Sequence, residues 1–120
     1  MKGVLIVGHG SRRIETERIL ESVVEMTRKE LPETIMEIAY MEFGKQNIPA
    51  GLDVLAGQGA VEIAVVPYFL FDGIHIKEDI PEALEEYQAT HPNIKISMGS
   101  PLGADKRLAA ILADRIRECL

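Results

Sequence analysis

Apolar residues come along this chain in short solid runs, separated by longer stretches in which they recur every third or fourth position. Val4–Val7 is a continuous apolar run, the pattern of a parallel strand buried on both faces. Beyond the Gly8-His9-Gly10-Ser11 turn, Ile19, Leu20, Val23, Val24, Met26 and Leu31 recur at helical spacing as far as Pro32. Ile35–Met41 predicts a second strand. Pro49 suits the first turn of a helix carrying Leu52, Val54 and Leu55, which Gly57 and Gly59 end. Ile63–Phe71 is the strongest strand signal, and its aromatics Tyr68, Phe69 and Phe71 read mostly as sheet core. Pro81–Tyr87 predicts a helix with Glu78 and Asp79 near its start, where the helix dipole favours negative charge. Ile94–Met98 predicts a fourth strand. Leu108, Ile111, Leu112, Ile116 and Leu120 form the apolar stripe of a last helix.

Four strands alternating with four helices, with no linker, repeat or low-complexity stretch, predict a single α/β domain over residues 1–120. The expected architecture is a four-stranded parallel sheet with right-handed crossovers and helices on both faces. In the flavodoxin-like order 2-1-3-4, strands one and three are neighbours at the switch point, where open α/β sheets bind ligands beyond their carboxyl ends.

Composition acts mainly by exclusion. At 47% hydrophobic and 27% charged, the chain has a globular composition and is not a disordered tail. Ile63–Phe71, the longest apolar run, is interrupted by Pro67 and far short of a membrane span, and Val4–Val7 is too short for a secretory leader. A single cysteine, Cys119, belongs to no C-x-x-C and suits a reducing cytoplasm. A net charge of −6, with three Phe, three Tyr and no Trp, argues against nucleic acid as a partner.

The candidate chemistry gathers just past the strands. His9 follows the first strand; alone it reads as a turn histidine satisfied by backbone groups, but its flanking glycines let a bulky ligand approach. His75 follows the third strand, and alone is an exposed loop residue. Two histidines past two adjacent strands are another matter, because neutral imidazoles ligate divalent cobalt, nickel, iron and zinc and also act as bases near neutrality. Glu42, past the second strand, is by itself a surface carboxylate; beside His9 it would help two imidazoles hold a divalent metal with coordination positions left open. Arg12, Arg13, Lys45 and Lys77 follow the same three strands and would form a basic, anion-attracting rim. His91 reads as a solvated cation at a helix C-terminus, and Glu82, Glu85 and Glu86 as a solvated helix face. The Gly8–Arg12 turn matches neither G-x-G-x-x-G nor G-x-x-x-x-G-K-[ST], and lacks the Arg-His-Gly triplet of histidine phosphatases.

Val7-Gly8-His9-Gly10-Ser11-Arg12, Met41-Glu42-Phe43, and Val66 through His75 with Asp79-Ile80-Pro81 together resemble the small sirohydrochlorin cobaltochelatases of the short CbiX type. The resemblance extends to Gly99-Ser100-Pro101-Leu102-Gly103. It implies insertion of a divalent metal, Co2+ foremost and otherwise Fe2+ or Ni2+, into sirohydrochlorin, an anionic tetrapyrrole, with no organic cofactor. By match, His9 is metal ligand and proton acceptor, His75 the second metal ligand, and Glu42 a third ligand found in some members. Lys45 matches a substrate-contacting position, although Gly44-Lys45-Gln46 replaces the acidic or proline-containing run expected there. Leu70, Phe71, Asp72, Gly73 and Ile74 match the segment along the macrocycle, and Ser11 and Arg12 join the substrate-binding set. The histidine-rich insertion of some members is absent. Chelatases of this kind close two lobes on the macrocycle, and 120 residues supply one, so the resemblance implies a homodimer. A non-catalytic metal or tetrapyrrole carrier, and a flavodoxin-like phosphate module, are the readings from other classes.

Overall fold

The computed structural model describes residues 1–120. The elements run β1 (Lys2–Gly8), α1 (Ile14–Glu30), β2 (Ile35–Tyr40), α2 (Ile48–Gly57), β3 (Glu62–Pro67), a π-helical turn (His75–Asp79), α3 (Ile80–Thr90), β4 (Lys95–Met98) and α4 (Lys106–Cys119). All four strands are parallel, as the alternation of elements predicts, and their order is β2-β1-β3-β4, the flavodoxin-like one. No helix is long and apolar enough to cross a membrane.

The solid apolar run of β1 is explained by its central place. Leu5 and Val7 point into one core layer with Ile63 and Val65 of β3, where Leu52 and Leu55 of α2 and Ile80, Leu84 and Tyr87 of α3 cover them. Ile6 points the other way, into a smaller layer with Met36 and Tyr40 of β2 and Leu20 and Val24 of α1. Tyr87 also ties α3 to α2: its hydroxyl donates to Asp53 at 2.7 Å, and burial followed by this bond pushes its pKa up to about 12. Tyr40 is pushed up to about 12 by burial and by the nearby Glu17 and Glu21, and its hydroxyl has no partner.

Local chemistry sets the ends. Asn47 caps α2 by accepting from the Ala50 N–H at 3.0 Å, with Pro49 in the first turn. β3 stops at Pro67, four residues before the apolar run does, because the chain then leaves the sheet: Tyr68 and Phe69 are half-buried and Phe71 is 76% exposed. Tyr68 and Phe69 still pack against the two core layers from beyond the strand end, and only Phe71 leaves the core. The helix predicted over Pro81–Tyr87 begins six residues earlier, at His75, with a π turn. Pro81 has no N–H and would crowd the carbonyl four residues before it; the wider turn, closed by the Ile80 N–H on the His75 carbonyl, relieves this. On α1, Leu20 and Val24 are buried, whereas Ile19, Met26 and Leu31 of the expected stripe are exposed. α4 forms where its pattern predicts, but buries none of its residues. Helices thus cover one face of the sheet fully and the other only through α1.

Candidate metal and macrocycle site

The parallel ladder does not stop where the strands end, and this builds the site. Past β1 and β2, the Met41 N–H donates to the Gly8 carbonyl at 3.0 Å and the Glu42 N–H to the His9 carbonyl at 3.1 Å. On the other side, the Tyr68 N–H donates to the Val7 carbonyl at 2.8 Å. His9 is therefore held level with Glu42 on one flank and Phe69 on the other. His9 Nε2 lies 3.2 Å from Glu42 Oε1, and its ring stands edge-on to Phe69 with centroids 6.4 Å apart. Both His9 and Glu42 are about half exposed (side chains 54% and 52%), so the pair is open to a ligand.

Two left-handed turns permit this approach. Gly10, at φ +97°, passes against the Glu42 carbonyl, where no side chain fits. Phe43 and Gly44, at φ 56° and 59°, reverse the chain after β2, and the Arg12 guanidinium sits 4.8 Å over the Phe43 ring. Ser11 Oγ accepts from the Arg13 N–H at 3.1 Å, settling the turn before α1.

His75 comes from the π turn, and its ring centroid lies 5.1 Å from that of His9. Its Nδ1 is 2.7 Å from Asp79 Oδ2. A carboxylate only accepts, so Nδ1 carries the proton and the lone pair of the neutral ring sits on Nε2. Sequence reasoning placed Asp79 at a helix start; the i, i+4 spacing from His75 was the signal of its real contact. We expect Asp79→Asn to weaken metal binding by about 10- to 100-fold, the usual effect of losing such a support, measured by calorimetric titration with Co2+.

His9 and His75 open onto a cavity of about 400 Å³ lined by Tyr68, Phe69, Leu70, Phe71, Gly73 and Ile76. Asp72 and Ile74 lie in the same loop, exposed. The arrangement offers two imidazoles and a carboxylate beside an apolar wall, which suits a flat ring presented to a cation. No group of three His, Cys, Asp or Glu side chains converges to hold a metal ion, so the structure pairs His9 with His75 and with Glu42 but does not assemble the three as one ligand set.

The basic rim is thinner than expected. Lys45 turns away to pair with Glu21 of α1 at 3.3 Å, in a separate charged cavity of about 740 Å³ outside β2, with Arg18, Glu25 and Gln46. The structure does not bring Lys45 to the histidines. His91 is not simply solvated either; it stacks on Tyr87 at 3.8 Å and closes the end of α3.

A four-stranded parallel sheet carrying paired histidines beyond its switch point defines a chelatase-like α/β domain. The chain belongs to the CbiX family, whose sequence profile matches residues 3–119. A sirohydrochlorin ferrochelatase of Priestia megaterium is 36% identical over 118 residues, 98% of this chain and 44% of that protein. A sirohydrochlorin cobaltochelatase of Sulfurisphaera tokodaii is 36% identical over 120 residues, all of this chain and 95% of that one. The cobalt complex of the sirohydrochlorin chelatase SirB from Bacillus subtilis subspecies spizizenii superposes with a TM-score of 0.90 at 32% identity, over 98% of this chain and 50% of that one. This chain thus spans about half the length of the longer curated relatives and nearly all of the short one.

Proposed function

We propose that this chain is the subunit of a sirohydrochlorin chelatase: it inserts a divalent metal, Co2+ foremost and otherwise Fe2+ or Ni2+, into sirohydrochlorin, as a homodimer, in the cytoplasm and without an organic cofactor. The observation that carries the reading is the pair of imidazoles, His9 and His75, 5.1 Å apart at the mouth of an apolar cavity. The metal is a substrate here. The His9 ring and His75 Nε2 present it, and Glu42, which faces His9 Nε2 at 3.2 Å, helps to strip and replace its water. The ring lies along Leu70–Ile74, its carboxylates toward Arg12, Ser11 and the remaining rim. Insertion breaks two pyrrole N–H bonds and forms metal–nitrogen bonds, so two protons leave for every metal that enters. A neutral imidazole at His9 accepts such a proton at ordinary pH. His75, held by Asp79, keeps its orientation as the metal leaves it.

Cobalt, iron and nickel share ligand preferences, so these residues accept all three, and the supply of metal decides among them. The test is incubation of the purified protein with sirohydrochlorin and each metal, following the absorption change. We expect rates well above the spontaneous reaction and many turnovers per subunit. Tight binding with no more than one turnover would make the protein a carrier, and a rate equal to the spontaneous one would remove the enzyme reading.

A further inference from the structure

Two surfaces of this chain lack a counterpart. The first is α4. Its apolar residues Ile111, Leu112 and Ile116 are 50%, 62% and 49% exposed, although they form a regular stripe. The helix makes no extended contact with any other element. Beside it, Leu70 of the macrocycle loop joins Leu108, Ile111 and Leu112 around a cavity of about 670 Å³, so this surface is continuous with the proposed site.

The second is the half-covered face of the sheet. Ile63 and Val65 of β3, and Ile96 and Met98 of β4, face the layer under α2 and α3. By the period of two, Ala64 and Val66 of β3 and Lys95 and Ser97 of β4 face the α1 side, and all four are exposed or only half-buried. An open groove of about 390 Å³ lies there, with Val4, Ala64 and Ser97 among its lining residues. α1 presents Arg18, Glu21, Ser22 and Glu25 to the charged cavity beside β2. On its opposite flank, toward the bare half of the sheet, helical spacing puts Ile19, Val23 and Met26, with Ile19 66% and Met26 60% exposed. The result is a trough with an apolar wall and a mixed floor, in which Val4, Ala64 and Val66 are flanked by Glu62, Lys95 and Ser97. A helix of α4's length, about 21 Å, matches a six-residue strand of about 20 Å.

We propose that two copies of this chain exchange α4, each laying the stripe Leu108, Ile111, Leu112, Ile116 into the trough beside α1 of the other. Charge agrees with this. α4 carries Lys106, Arg107, Arg115 and Arg117 against Asp114 and Glu118, a basic element in a chain of net charge −6. α1, its new neighbour, carries five glutamates against three basic residues. The exchange also places the partner beside Leu70, closing the open side of the cavity.

This rests on the homodimer reading, and the test separates the two. Wild-type protein should sediment as a dimer, and Ile111→Asp with Leu112→Asp should weaken dimerisation at least ~100-fold while circular dichroism stays that of a folded chain. In a Cys119→Ser background, a copy with Ile111→Cys mixed with a copy with Val66→Cys should give a cross-linked heterodimer with a short bismaleimide. A wild-type monomer that still inserts metal overturns both the homodimer and the exchange. A dimer indifferent to the α4 substitutions, or one whose Ile111→Cys copies link only to each other, overturns the exchange and leaves the homodimer standing.

Discussion

Replacing His9 and His75 together with alanine should return metal insertion to the spontaneous rate, a loss on the order of 10²- to 10⁴-fold for proton transfer alone. Both imidazoles at the mouth of the cavity disappear, and what remains is Glu42, a half-exposed carboxylate that water solvates well. The single variants should fall between, and not additively, because each imidazole positions the same ion. His75→Ala should act mainly on metal binding, since His75 is the ring oriented by Asp79. His9→Ala should also slow the proton step at saturating metal. Calorimetry with Co2+ and the absorption assay with sirohydrochlorin measure the two effects separately. Insertion that survives in the double variant would show that the crevice is not the site.

Gly10→Ala should produce the largest loss of stability of any glycine-to-alanine change in the chain. The added Cβ would stand 1.8 Å from the Glu42 carbonyl oxygen, on backbone rather than on a flexible side chain, at a φ of +97° that alanine resists. Backbone strain and forced displacement together cost about 2–4 kcal/mol, or on the order of 10 °C in Tm for a chain of this size. The displaced strand is the one whose Glu42 N–H donates to the His9 carbonyl. Metal binding should therefore fall along with Tm. Gly73→Ala is the control, since a Cβ there meets nothing within 4 Å although Gly73 lines the same cavity. Thermal melts of the two variants side by side make the comparison; equal Tm values would refute the steric account.

The parallel sheet was legible because it depends on features a sequence carries directly, whereas the strand order, and with it the position of the crevice, had to be taken from the flavodoxin-like case. The solid run Val4–Val7 marks a central strand, and histidines placed just past two such runs must meet if the strands are neighbours. The extent of β3 was not legible. Val66 through Phe71 stays apolar for two successive reasons, first to fill the sheet and then to line a cavity, and hydrophobicity cannot tell the two apart. Asp79 does precede α3 as its sequence position suggests, but its bond to His75 was missed because the π turn that brings the two together leaves no hydrophobic pattern. Lys45 follows β2 as the rim requires, but the turn at Phe43 and Gly44 sends its side chain toward Glu21. The stripe on α4 was legible as a pattern, but the expected cover of both sheet faces by helices fell short there, because a pattern says that a surface wants a partner and not which element supplies it.

The rungs of backbone hydrogen bonding that run past β1 and β2 have one further consequence. They make the separation of His9 and Glu42 a stepwise quantity: a one-residue slip would turn Glu42 to the other face, and the smallest slip that keeps the faces is two residues, about 6.6 Å. Fine adjustment is left to His75, carried on a separate turn that can tilt. Descendants of this scaffold that change metal would then drift around the π turn while the first two loops stay fixed, and an engineer seeking a new preference should begin there.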